Sequence, residues 1–233
     1  MKLKITALAV LFIAFTTVKA QQLLTPSFSY SGKKTSYITL VDGSEVQGTI
    51  KDIDREKGLI EYIKIEDGAG KKHKLDAEDI KFMYLPPSGV DKLSQKTAFL
   101  TDAKKWNNEK LNQDLLSQGF VYFELADVKI KKKESKLLMQ LLNPDFSKYV
   151  KIYHDPFAKK TMSVGVAGVD VVGGIAKSYY ISKEGAPAFK IEKKAYNEEF
   201  IPLWKSCSSL MEKYPTAEWN ELVEHIIAFT ECQ

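Results

Sequence analysis

Thr39-Leu40-Val41-Asp42-Gly43-Ser44-Glu45-Val46-Gln47-Gly48-Thr49-Ile50 is the stretch on which the fold turns. Apolar and β-branched residues flank Asp42-Gly43, the dipeptide of a tight hairpin turn. Gly48, inside the second arm, suits a strongly bent strand or a close backbone approach. Outward from this hairpin, Tyr37–Val41 and Glu45–Ile53 read as the first two strands. Asp54–Gly58 is a charged turn, Leu59–Glu66 a third strand, and Asp67-Gly68-Ala69-Gly70 another turn. His73–Leu75 is a brief fourth strand. Asp76–Asp79 reads as one helical turn, Ile80–Leu85 as a fifth strand, and Pro86-Pro87-Ser88-Gly89 ends the unit. Five short strands with a single helical turn before the last predict a small closed antiparallel barrel over residues 36–89. Residues 21–35 read as an extended polar lead-in.

The quoted stretch resembles the start of SH3-like and Sm-like barrels, which also run from a strand through an Asp-Gly turn into a strand bent at a glycine. The resemblance implies a fold and no particular activity.

Residues 90–194 read as a second antiparallel β unit behind a polar connector. The connector, Val90–Gln118, has scattered apolar positions and reads as loose helix or loop. Strands follow at Phe120–Val128 and Lys136–Leu142, on either side of a charged turn at Lys131–Ser135. Asn143-Pro144-Asp145 breaks the pattern. Tyr149–Tyr153 is a further strand, and Ser178–Ser182 with Phe189–Glu192 form a hairpin around Lys183–Pro187. In the tail, residues 195–233, Phe200, Leu203, Trp204, Cys207, Leu210, Met211 and Tyr214 recur at helical spacing. Asn197 can cap this helix, Pro215 stops it and Thr216 can cap the next. Trp219, Leu222, Val223 and Ile226 make a second stripe. The expectation is a helical hairpin packed on the second β unit, and an α+β fold overall. With Leu141–Phe146, Val150–Phe157 and Lys177–Tyr180, the chain also resembles uncharacterised secreted bacterial proteins that pair a small N-terminal barrel with a Cys-containing helical tail. That resemblance implies export and architecture only.

The first twenty residues speak to compartment. Lys2 and Lys4 precede an uncharged apolar run, Ile5–Phe15, and Val18-Lys19-Ala20 presents small residues to a signal peptidase. The run is shorter than the roughly 20 residues a membrane span needs, so cleavage is expected between Ala20 and Gln21, leaving no transmembrane segment in the mature chain. Gln21 is not a cysteine, so no lipid anchor is indicated. The net charge of +4 then falls to +1, since Lys2, Lys4 and Lys19 leave and no acid does. An exported, near-neutral chain is a poor partner for nucleic acid, which demands phosphate neutralisation, so the RNA binding of Sm-like proteins does not carry over. A hydrophobic content of 44% supports a packed core. Cys207 and Cys232 form an isolated pair, expected to be bridged in an oxidising compartment. In a straight helical hairpin turning at Pro215, however, they would miss each other by about 13 Å at ~1.5 Å per residue. The second helix is therefore expected to end near Ala228, with Phe229–Cys232 folding back.

No catalytic, cofactor-binding or metal-ligating residue is assigned. His154-Asp155 sets a His beside an acid, but a dyad needs a nucleophile placed by the fold, and Asp155-Pro156 is also an ordinary turn. His73 and His225 stand alone, and no HExxH or CxxC spacing occurs. Gly165–Gly174 lacks the Lys-Ser/Thr of a phosphate loop; it reads as a glycine-rich connection or an apolar loop that a partner covers. The run Lys129–Lys136 reads as a solvated hairpin tip, or as a contact for anionic envelope polymers or lipid headgroups. Asp52, Asp54, Asp67, Asp76, Glu78 and Asp79 fall at turns and match no EF-hand spacing. The expected function is a non-enzymatic binding or scaffold protein of the cell envelope, periplasmic or extracellular, with an envelope protein or polymer as partner. The alternative is a secreted or periplasmic hydrolase with a dispersed active site.

Overall fold

The quoted hairpin forms as read. Strand β1 (Thr35–Leu40) pairs antiparallel with β2 (Glu45–Glu56). Asp42 accepts hydrogen bonds from the Ser44 N–H at 2.8 Å and hydroxyl at 2.7 Å, and Gly43 takes a φ of +87°. A Cβ at Gly48 would overlap the Glu66 carbonyl of the neighbouring strand, so the glycine there permits a close backbone approach. The computed structural model describes residues 22–89, 108–157 and 176–233. The leader, Ala20 and Gln21, the first part of the connector, and the glycine-rich stretch Gly165–Gly174 lie outside the described residues.

β3 (Leu59–Asp67), β4 (Lys72–Asp76) and β5 (Ile80–Leu85) complete the N-terminal part, with a 3-10 turn at Ala77–Asp79 where the single helical turn was expected. The closed barrel expected over 36–89 is not formed. The strand order is β4-β3-β2-β1-β5-β6, and the second edge of β5 pairs with β6 (Val121–Ile130) instead of returning to β4. The reason lies in β6, whose Val121–Glu124 supply a full antiparallel register for Leu85–Phe82. The core that a barrel would have enclosed is completed from outside 36–89. Val121 and Phe123 of β6 and Leu138 of β7 (Lys133–Gln140) join Ile38, Ile63, Ile65, Ile80 and Met83 in one buried cluster.

β6 joins the two parts of a single ten-stranded sheet. β7 covers one of its edges over Phe123–Ile130, so β5 and β10 (Ala188–Glu192) follow one another along the other edge, at Val121–Glu124 and at Val128–Lys129. β10 runs parallel to β6, and β9 (Ser178–Lys183) and β8 (Val150–His154) continue antiparallel. The sheet then curls until β8 meets the end of β7 through a lone bridge, Leu141 to Tyr153. The lead-in crosses both parts. Leu24 N–H donates to the Leu142 carbonyl at 2.7 Å, Ser27 N–H to Gln140 Oε1 at 3.3 Å, and Tyr30 bridges to Pro87. In the described part of the connector, α1 (Gln113–Ser117) is capped by Asn112, whose side chain accepts from the Leu115 N–H.

The tail covers the outer face of β8–β10. Val150, Ile152, Tyr179, Ile181 and Ile191 share a core with Phe200, Leu203, Trp204, Leu222, Ile226 and Phe229. It consists of three short helices rather than a two-helix hairpin: α2 (Tyr196–Trp204), α3 (Ser208–Lys213) and α4 (Leu222–Glu231). Asn197 lies inside α2 instead of capping it, and a 3-10 turn at Trp219–Glu221, preceded by Glu218 rather than Thr216, leads into α4. The first stripe breaks after Trp204, where Cys207 becomes the N-cap residue of α3.

Cys207 and Cys232 form a disulfide with their Cα atoms 5.9 Å apart. The obstacle is removed differently from the expectation, because α4 continues to Glu231 without folding back. Residues Tyr214–Glu218 are not helical, so they rise up to about 3.3 Å each instead of ~1.5 Å. The straight two-helix geometry behind the 13 Å mismatch is therefore not the geometry of this tail.

Candidate functional site

The polar groups that the fold brings together lie on the concave face of the curled sheet. Alternation along β6 sends Val121 and Phe123 into the N-terminal core and leaves Tyr122, Glu124, Ala126 and Val128 on the opposite face. β8 is buried on both faces. Val150 and Ile152 meet the helices, while Lys151 and Tyr153 face Glu124. The Lys151 ammonium donates to both Glu124 oxygens, at 2.7 and 2.8 Å, and the Tyr153 hydroxyl donates to Oε1 at 2.8 Å. Burial, and next the Glu124 charge, push the Tyr153 hydroxyl well above its ordinary pKa, and Tyr122 is raised for the same two reasons. Both phenols stay protonated as donors.

One register step further, Asp155 is buried on the same face. Its carboxylate accepts from the Ser178 hydroxyl at 2.6 Å and the Phe157 N–H at 2.9 Å, and Lys190 Nζ stands 3.1 Å away. Lys190 also meets Glu192 at 3.3 Å. A recess of about 160 Å³ opens beside Glu124, lined by Asp127, Ser147, Lys151, Tyr153 and Ser182. The lone pairs of Glu124 and Asp155 are thus engaged by neighbouring donors. That suits carboxylates that hold strands together.

His154 and Asp155, adjacent in sequence, face opposite ways. Asp155 joins Ser178 and Lys190, while the His154 ring packs edge-on against Phe28 at 5.3 Å. Burial lowers the His154 pKa to about 4, with the Asp155 and Arg55 charges acting in opposite directions. His73 pairs with Asp67 at 2.9 Å on the β3–β4 hairpin. His225 is fully buried under the helices. The Trp204 indole N–H donates to the Tyr196 oxygen at 3.0 Å, leaving the Tyr196 hydroxyl proton for Nδ1 of His225 at 2.8 Å. Desolvation lowers the His225 pKa also to about 4. The three histidines are therefore in three separate places. Among the described residues no group of His, Cys, Asp and Glu could hold a metal ion. Asp67 serves its own turn, accepting from the Ala69 and Lys71 N–H groups, whereas Asp52 and Asp54, expected at turns, lie within β2 because that strand runs on to Glu56, and Asp52 pairs across the ladder with Lys64 at 3.2 Å.

Sequence reasoning missed Glu124, Lys151, Ser178 and Lys190. A signal was present. Lys151 sits between Val150 and Ile152 in a strand with no exposed position, and a lysine sandwiched that way requires an acid opposite. No family model, curated protein or solved structure matches the chain.

Proposed function

We propose that the chain is an exported, non-enzymatic binding or scaffold protein of the cell envelope. The observation that carries this reading is the concave face. Its charges neutralise one another, and the recess beside them, about 160 Å³, falls short of the ~300 Å³ at which pockets for drug-sized ligands begin. A face built this way holds the strands of the curled sheet together. Recognition then falls to the outer surface, where the hairpin tips project. Export is supported by the leader-like residues 1–20 and by the Cys207–Cys232 disulfide, which persists in an oxidising compartment. Among the described residues no helix is long and apolar enough to cross a membrane.

The test is an assay of the purified mature protein against chromogenic esters, phosphoesters, glycosides and peptides, beside a Glu124→Gln variant. No turnover above the blank is expected. Turnover that Glu124→Gln abolishes would replace this reading with a hydrolase. Mass spectrometry of the secreted protein is expected to find Gln21 as the first residue, and a protein retained whole inside the cell would remove the envelope from the proposal.

A further inference from the structure

The pairing directions gather cationic side chains at one end of the curled sheet. β6 and β10 run parallel, and β7, β8 and β9 alternate about them. The end of β6, the start of β7, the end of β8, the start of β9 and the end of β10 therefore share one rim. That rim carries Lys131, Lys132 and Lys133 at the β6–β7 tip, Lys177 before β9, and Lys193 and Lys194 after β10, all exposed. The Lys193 N–H donates to the Lys177 carbonyl at 2.9 Å, which fixes two of these positions side by side. Among the described residues only Lys194 of the six has an ion-pair partner, Glu192, and that acid is shared with Lys190. Lys131 holds a positive φ of 57° at the very tip of the turn. On the same rim, two residues past Asp155, Phe157 exposes 38% of its surface.

We propose that this rim docks on an anionic phospholipid surface. The inference names a partner for the binding function proposed above and rests on that reading. Clusters of about four to eight Lys or Arg are the usual electrostatic footprint for acidic headgroups, and each such residue near the surface strengthens binding by roughly fivefold. Phe157 decides for a lipid surface over a soluble polyanion, because an exposed ring among lysines gains by entering the headgroup layer and gains nothing from a hydrated acidic polymer. The chain as a whole is nearly neutral once residues 1–20 are removed, so attraction would come from a local cluster such as this rim and not from net charge.

The experiment is sedimentation of the mature chain with vesicles of phosphatidylcholine alone and of phosphatidylcholine with phosphatidylglycerol, with dextran sulfate as a soluble polyanion in a separate arm. Binding is expected to the anionic vesicles, at least tenfold weaker to the neutral ones, and lost in high salt. The variant Lys131→Glu/Lys132→Glu/Lys133→Glu is expected to bind at least a hundredfold more weakly. Phe157→Ala is expected to cost several-fold without changing the salt dependence. Lys193→Glu/Lys194→Glu, on a different segment, guards against misfolding of the first variant, and each variant's far-UV spectrum is compared with the parent. Equal binding to both vesicles, no binding to either, or an unchanged triple variant overturns the proposal. Binding to dextran sulfate with none to vesicles also overturns it, while leaving a non-enzymatic binding function standing. Turnover in the substrate assay would remove that broader reading instead.

Discussion

The two halves of the sheet bury their strands by different means. In β2–β4 one face is apolar and the other wet, while β1 and β5 turn Tyr37, Phe82 and Tyr84 toward the opposite-face core. Ile38, Ile63, Ile65, Ile80 and Met83 form a core without a charged member, and the outward positions of β2–β4 are largely exposed. In β8–β10 both faces are covered. Helices α2–α4 take Val150, Ile152, Ile181 and Ile191, and the opposite face turns into its own concavity with Lys151, Tyr153, Asp155, Tyr180 and Lys190. A one-sided sheet needs only alternation. A two-sided one whose concavity holds polar groups must pair every charge, because an unpartnered one would carry its full desolvation cost.

If the second half depends on its helical cover, the largest effect should come from Trp204, which is fully buried and donates to Tyr196. Trp204→Ala is expected to destabilise by about 4 kcal/mol, in the range for buried aromatic truncations. Ile63→Val, in the N-terminal core, should cost about 1 kcal/mol. Urea unfolding followed by both fluorescence and far-UV circular dichroism checks this. Non-coincident transitions in Trp204→Ala would show the two halves to be separate cooperative units, sharpening the comparison, whereas a loss near 1 kcal/mol would break it.

Acid should act on the same side of the comparison. His154 and His225 have folded pKa values of about 4, below the ordinary 6.5. Between those values the unfolded chain binds protons that the native chain does not. The stability each ring contributes is present above pH 6.5 and is lost as pH falls toward 4, up to about 3 kcal/mol per ring. Asp145 acts oppositely: burial raises it to about 6 from 3.8, so the stability it contributes is lost as pH rises through that window and returns on acidification. The net expectation is a loss of about 3 kcal/mol from pH 6.5 to pH 4, read from urea midpoints across that range. In His225→Gln the slope should flatten, and a slope unchanged by that substitution would remove His225 from the account.

The same contrast explains what could be read from residues alone. Every strand of β1–β5 was legible, because period-two alternation and Asp-Gly turns are local signals. Closure of the barrel was not, since it depends on whether β5 offers its free edge to β4 or to a strand more than thirty residues later. The strands of the second half were legible too, down to the Lys183–Pro187 turn. Their polar site was not: Glu124 and Lys151 lie 27 positions apart and meet only because β8 curls back toward β6. The tail's apolar stripe was visible, but its break at Cys207 was masked by a periodicity that α2 and α3 continue across the gap.

The disulfide tests how firmly α3 and α4 are held as part of that cover. Replacing both cysteines, Cys207→Ser/Cys232→Ser, is expected to cost about 3 kcal/mol on the chain-entropy estimate for the closed loop. The loss should appear in unfolding midpoints of the oxidised protein and vanish when both proteins are compared under reducing conditions. A difference that persists under reduction would mean that the buried Cys207 side chain, not the bridge, matters to the helical layer.

The smallest expected effects come from two glycines and bear on how the halves meet. Gly43 and Gly58 both hold positive φ, +87° and +91°. Around Gly43 a Cβ would meet nothing within 4 Å, so Gly43→Ala should cost only the left-handed strain, about 1 kcal/mol. At Gly58 the added carbon would run into the Pro156 carbonyl, on the turn that leaves β8. This is where the β2–β3 hairpin of the first half lies against the second. Gly58→Ala must therefore add displacement of that contact to the same strain, and its loss should exceed that of Gly43→Ala by about 1 kcal/mol or more. Both are read from denaturant midpoints with the slope held as a check on two-state behaviour. Equal losses would mean that the two halves separate freely at this seam and are held together by β6, β7 and the lead-in instead. A larger loss at Gly58 would mean that the hairpin tip and the Pro156 turn are packed as one body, so the junction between the halves is a tertiary contact as well as a shared strand.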